Sequence, residues 1–410
     1  MTDTDTPAKP SALAPFSVRS FRFQWPSDLL TSWAFEMETL ILGWYVLVET
    51  GSVLMLTAFG ALQFLGTLIS PLFGVVADRL GRRVVLCAMR ASYVVLALGI
   101  MSLAFSAILN AYWVLGLSVL TGLVRPSDLV MRNSLIGDTV PGPWLAKAIG
   151  LSRTTMDTAR ITGALAGAGL FATLGIGPAY LGVVALYLIS FALTFGVGGP
   201  SGRLAEVRTA TSPWQELKAG LNYIRRTPLV LALMLLAFLV NLTAYPISMG
   251  LLPYVAKEIY AVDQNGLGHL VAGYAFGALL GSIAMIMLGG MRRPGRIMVI
   301  GILVWYLTLS VFAVQDAKWP GFAVLMAIGG LQSFAMIAMS VTLLAITPEQ
   351  FRGRIMGVRM LAVYGLPLGL LAAGVLVDGA GFTATVWAYT ICGMLGTVWI
   401  AWRWRNVLWR

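Results

Sequence analysis

The chain has 410 residues, 58% of them apolar and only 11% charged, with a formal net charge of +11 and a mean hydropathy of +0.84. A soluble domain carries about 25% charged residues, so this is the composition of a polytopic helical membrane protein. Two cysteines (Cys87, Cys392) and one histidine (His269) exclude a disulfide framework and a His-rich metal site. No phosphate-cradling Gly-x-x-x-x-Gly-Lys-Ser/Thr loop is present, so work against a gradient has to draw on another gradient or a partner.

Apolar segments of spanning length run in order at Trp25–Val48, Val53–Val76, Val84–Ile108, Tyr112–Ile136, Ala148–Leu174 and Ala179–Val197. After a polar interval come Leu229–Tyr254, Leu267–Leu288, Ile297–Val314, Phe322–Ile346, Ile355–Val377 and Thr383–Trp402. The expected fold is all-α: twelve transmembrane helices in two pseudo-symmetric six-helix bundles. The expected divisions are an N-terminal segment (1–24), a first bundle (25–197), a linker (198–228), a second bundle (229–402) and a tail (403–410). In the linker, Trp214, Leu217, Leu221 and Ile224 share helical spacing and predict an amphipathic surface helix. Pro141, Gly150 and Gly167 recur as Pro348, Gly357 and Gly374, all offset by 207 residues, as expected of a repeated unit with a cavity at the repeat interface.

The basic residues sort to one side of these spans. Arg79, Arg82, Arg83, Lys147, Arg225, Arg226, Arg352 and Arg405 fall on the side expected to be cytoplasmic, and Lys257 and Lys318 on the other. By the positive-inside rule both termini are expected to be cytoplasmic, and the net charge sets topology instead of binding nucleic acid.

One short link, Gly74-Val-Val-Ala-Asp78-Arg79-Leu-Gly81-Arg82-Arg83, joins the second and third spans. Its pattern resembles the cytoplasmic signature of the major facilitator superfamily. The resemblance implies that Gly74, Asp78, Arg79, Gly81, Arg82 and Arg83 form a cytoplasmic gate in which Asp78 pairs with arginine. The stretches Leu221–Pro228, Leu252–Ala256 and Pro348–Arg354 look like the bacterial efflux branch, which holds macrolide and enterobactin-type exporters. One departure is that Gly163 is followed by Ala164, where antiporters of the superfamily carry Gly-Pro.

Ionisable residues within spans are costly, by roughly 2.5–3.5 kcal/mol, and need a partner, a wet cavity or a task. Asp28, Glu36, Glu38, Asp128 and Asp157 all fall in the first half, and the second half's spans are expected to hold no acid. These five are the candidates for proton coupling, with Glu36 favoured for its mid-span position. Glu36 and Glu38 should face nearly opposite sides of their helix, since each lies roughly 80° from Asp28 in opposite senses. The fourth span reads Arg125-x-x-Asp128-x-x-x-Arg132 and the fifth Arg153-x-x-x-Asp157-x-x-Arg160, mirror images about the turn. Two readings stay open: a salt-bridge lattice tying these two helices together, with Asp128–Arg132 and Arg153–Asp157 as i,i+4 pairs, or an arginine surplus that attracts an anionic substrate. Arg90 reads as an end-of-span anchor. Trp33, Phe238, Met249, Gln332 and Met336 are candidates for a soft, largely apolar cavity wall.

Together these features predict a monomeric secondary transporter of a bacterial inner membrane, with no enzymatic activity, cofactor or metal. Its partners are a small-molecule substrate, protons and membrane lipids. The expected activity is export of amphipathic or lipophilic small molecules in exchange for protons by alternating access. Export of a specific anionic metabolite such as a siderophore, and translocation of lysophospholipid or another lipid, are the alternatives.

Overall fold

A computed structural model describes residues 13–67, 69–198, 222–287, 293–346 and 362–409. The linker helix expected around Trp214, the stretch Pro348–Arg354, and the side chains of Gly74, Asp78 and Arg153 lie outside what is described.

Every regular element among the described residues is helical. The first half comprises α1 (Arg19–Thr50), α2 (Val53–Leu62), α3 (Ser70–Leu80), α4 (Arg82–Phe105), α5 (Ala111–Thr139), α6 (Gly142–Leu174) and α7 (Ile176–Thr194). The second comprises α8 (Pro228–Ile259), α9 (Gln264–Met287), α10 (Pro294–Phe312), α11 (Lys318–Ile346), α12 (Gly365–Ala380) and α13 (Phe382–Arg403). Eight of these helices are long and apolar enough to cross a membrane outright. The charged α1 and α6, the broken α2–α3 pair and the shorter α12 complete twelve spans. Their lipid-facing sides carry exposed apolar residues such as Val95, Leu188, Leu307, Leu395 and Trp402.

The second span breaks after α2, which gives way to a 3-10 turn at Leu65–Thr67, and α3 restarts with a proline in its first turn, where the missing N–H costs no hydrogen bond. That break is packed tightly against α5. A Cβ on Gly66 would strike the Leu123 carbonyl at 2.1 Å, and one on Gly122 would strike the Leu62 carbonyl at 2.0 Å. Pro126 has no N–H for the Gly122 carbonyl, so α5 presents a freed acceptor at this contact. In α8, Pro246 and Pro253 coincide with π-helical turns at Pro246–Gly250 and Val255–Ile259, the local widening expected where a proline interrupts the ladder.

The halves meet at the end of the molecule opposite the α3–α4 turn. Gly268 on α9 approaches Ala168 and the Ala164 carbonyl on α6, Gly374 on α12 sits over Thr57 on α2, and Gly60 touches Leu370. Gly43 on α1 faces Pro253 on α8. The glycine series Gly273, Gly277 and Gly281 packs α9 onto α11 against Phe322, Met326 and Gly330, within the second half.

Among the described residues, the acids of the second half stand at span ends or in the loops between them, where Asp263 and Asp316 are exposed. Glu258 and Asp378 stand exposed in the last turns of α8 and α12, beyond the spans as read from the sequence, which end at Tyr254 and Val377.

Candidate functional site

Helix α1 is the hub of the charged residues. Its buried side presents Asp28 to α4 and α5, where Arg90 donates from Nη2 to Asp28 Oδ1 at 2.7 Å. Arg132 Nε lies 2.5 Å from Asp128 Oδ2 and 3.4 Å from Asp28 Oδ1. Arg90 Nη2 reaches Asp128 Oδ1 at 3.6 Å. Arg132 also donates to Ser32 Oγ at 3.0 Å, and Gln24 Nε2 donates to the Arg132 carbonyl at 2.9 Å. Two guanidinium groups and two carboxylates thus form a neutral quartet whose side chains are no more than 6% exposed.

Two sequence expectations are corrected here. Arg90 does not snorkel from a helix end: it is fully buried, two turns inside α4, and is the second cation of the quartet. Among the described side chains, Asp128, Arg132 and Arg160 do not brace the fourth span against the fifth either. Asp128 and Arg132 form the expected i,i+4 pair on α5, but they turn to α1 and α4, and Arg160 on α6 also turns to α1. Helix α1 thus takes Arg132 from α5 and Arg160 from α6 as partners of Asp28 and Glu36.

The other faces of α1 carry Glu36 and Glu38, pointing apart as their spacing predicted. Arg160 Nε lies 3.5 Å from Glu36 Oε1, and this pair is 27% and 21% exposed. Asp157, one turn earlier on α6, and Tyr274 on α9 of the second half lie within electrostatic reach of Arg160. Gly163 makes the approach of α6 to α1 possible, because a Cβ there would meet the Glu36 Cβ at 2.9 Å and the Trp33 carbonyl at 3.0 Å. Gly167 repeats the contact one turn later against Met37. Trp33, one turn before Glu36, is half-buried, and its buried indole N–H has no hydrogen-bond partner among the described residues.

Glu38 is buried, accepting from Tyr187 Oη at 2.9 Å and Tyr180 Oη at 3.3 Å. Arg125 donates to Thr39 Oγ1 at 3.0 Å and to Gln63 Oε1, with its guanidinium carbon 4.5 Å over the Phe35 ring. In the second half, Gln332 Nε2 donates to Tyr245 Oη at 2.7 Å and its Oε1 accepts from Tyr274 Oη at 3.3 Å. Phe238 and Met249 are each 37% exposed, and Met336 packs against the second-half core. At the basic turn, Arg82 pairs with Asp138 at 2.5 Å and Arg83 donates to the Phe195 carbonyl at 2.5 Å, tying the turn to the ends of α5 and α7. Gly81 turns the chain at φ +89°.

Sequence reasoning missed Arg90, Gln63, Tyr180, Tyr187, Tyr245 and Tyr274. Tyr180 and Tyr187 carried a usable signal: seven residues apart on an apolar helix, they share one face and can bracket one buried acid.

The family model for the Major Facilitator Superfamily matches residues 27–362. The multidrug efflux pump Tap of Mycolicibacterium fortuitum is 26% identical, over 85% of this chain and 87% of its own. The enterobactin exporter EntS of Shigella flexneri is 26% identical over 74% and 70%. Among solved structures, the nucleoside transporter NupG superposes with a TM-score of 0.70 at 15% identity, covering 95% of this chain and all of its own. A D-xylose–proton symporter superposes with a TM-score of 0.64 at 15% identity, covering 93% and 94%. The matched model covers most of the chain and these structures share its twelve-helix architecture, so the protein belongs to the major facilitator superfamily.

Proposed function

We propose that this transporter exports amphipathic or lipophilic small molecules across a bacterial inner membrane in exchange for protons, with both termini cytoplasmic. The observation that carries this reading is the contrast between the two sets of paired charges on α1. The quartet around Asp28 is sealed and internally neutral, whereas Glu36 and Arg160 touch at one long contact and remain partly open. A carboxyl in that setting can gain and lose a proton without leaving a charge stranded. Arg160 can then be released to a substrate while Glu36 is neutral. Trp33 beside it offers an aromatic face and a spare N–H donor. The efflux pumps and the enterobactin exporter among the relatives support export as the direction. The four-charge quartet is read as a brace, and the basic turn as a gate.

A second reading, export of one defined anionic molecule, is favoured by the half-open Arg160 and by the same exporter relative. Inverted vesicles carrying the protein decide between these. With an acidic lumen, they are expected to accumulate the amphipathic cation ethidium, and to stop when the gradient is collapsed. Uptake indifferent to the gradient would remove proton exchange. Accumulation of carboxyfluorescein in place of ethidium would move the reading to an anionic substrate.

A further inference from the structure

Glu38 turns away from Arg160, into the interior of the first bundle. There a small cavity of about 20 Å³ is lined by Glu38, Thr39, Gln63, Ser118, Thr121 and Arg125 among apolar neighbours. A void needs roughly 10–15 Å³ and two to four polar partners to hold a water, and this one meets both conditions. Glu38 is held by two tyrosine hydroxyls, and Arg125 by Thr39 and Gln63. The two charges face each other across the cavity with no direct ion pair. This differs from Asp28 and Asp128, each of which meets a guanidinium within 3.4 Å.

A carboxylate buried among neutral donors, with its counter-charge one water away, keeps acceptable partners in both protonation states. The ionised form takes the two tyrosine O–H groups. The neutral form can donate its own proton into the cavity, while Arg125 stays satisfied by Gln63 and Thr39. We infer that this cavity is an internal proton-binding site, in which Glu38 exchanges a proton with a water seated between it and Arg125.

The groups facing Glu38 are Tyr180 and Tyr187 from α7 and Arg125 from α5, and behind them the Tyr93 ring of α4 lies 5.6 Å from that of Tyr187. Gln63 borders the cavity at the end of α2, and the Glu36–Arg160 pair lies on the opposite side of α1. Through Arg125 and Gln63 the site abuts the break in the second span. Two residues on, the Leu65 carbonyl accepts from Tyr364 of the second half at 3.1 Å. Glu38 is thus linked, across the cavity and through Arg125 and Gln63, to a segment that carries a contact between the halves. This inference stands apart from the identity of the exported molecule.

The test uses the proton as its probe. Infrared difference spectra of the purified full chain in detergent are recorded between alkaline and acidic buffer, in light and heavy water. The wild type is expected to show a protonated-carboxyl band that is lost in Glu38→Gln and retained in Glu36→Gln. Tyr187→Phe keeps the carboxyl and the packing but removes a donor to the ionised form, so the band should appear at higher pH. Spectra of Glu38→Gln that match the wild type throughout would overturn the inference. If Glu38→Gln does not fold, an unchanged pH dependence in Tyr187→Phe overturns it equally.

Discussion

The sealed quartet and the open pair are built from the same residue types on the same helix, yet their surroundings give them opposite properties. Asp28, Arg90, Asp128 and Arg132 come from three helices that bury them almost completely, so each charge is spoken for by another. Such an arrangement is weak evidence of net stabilisation, because desolvation offsets most of the Coulombic gain, but removing one member leaves an unpaired buried charge. Glu36 and Arg160 meet at 3.5 Å where two glycines let α6 approach α1, and both keep access to the outside. Charge type alone does not assign a role; the number of partners and the exposure do.

The largest effect is expected where the quartet is broken. Arg90→Ala should cost about 3–5 kcal/mol by leaving two buried carboxylates to share Arg132 alone, with Asp28 losing its nearest partner, read as a large drop in melting temperature. Pairing it with Asp28→Asn should restore part of that loss. If the two changes simply add, the quartet is not acting as a unit.

Glu36→Gln should leave melting temperature close to wild type, because the pair is long and partly solvated, while abolishing gradient-driven accumulation of ethidium in inverted vesicles. A comparable drop in stability would show that the open pair is a brace as well, and the contrast between the two sites would collapse.

Gly163→Ala lies between these extremes. Its Cβ would stand 2.9 Å from that of Glu36, so α6 must back away from α1 by a few tenths of an ångström. The expected cost is about 1–3 kcal/mol of overpacking, with transport lost more steeply than stability. Normal transport with lowered stability would mean that the spacing of the pair does not matter to its work.

The smallest effect belongs to Arg82→Ala. Its partner Asp138 and Arg82 itself are about 30% exposed, so about 0–1 kcal/mol is expected in thermal unfolding. A larger loss would show that the turn's tie to α5 is a structural anchor in its own right.

The fold was legible because hydropathy and the side-selective placement of arginines survive in any helical membrane protein. The charge partners were only half legible. The i,i+4 pair Asp128–Arg132 follows from helical geometry within one segment and was read correctly. Partners across helices depend on which helix packs between which, and sequence symmetry pointed α5 at α6 when both turn to α1. Arg90 was misread for a related reason: a cation two turns inside a span looks like an anchor until the neighbouring helix supplies Asp28. Gln63 became visible only with the break in the second span, where α5 pulls a polar side chain inward.

The distinction between the two sites comes down to which carboxyl gives up a proton when substrate arrives. Purified protein in weakly buffered detergent solution, mixed with ethidium, should release protons that a pH indicator can count. Release by the wild type that disappears in Glu36→Gln, at unchanged melting temperature, is the expected result. Undiminished release from Glu36→Gln would contradict it and take the open pair out of the transport cycle.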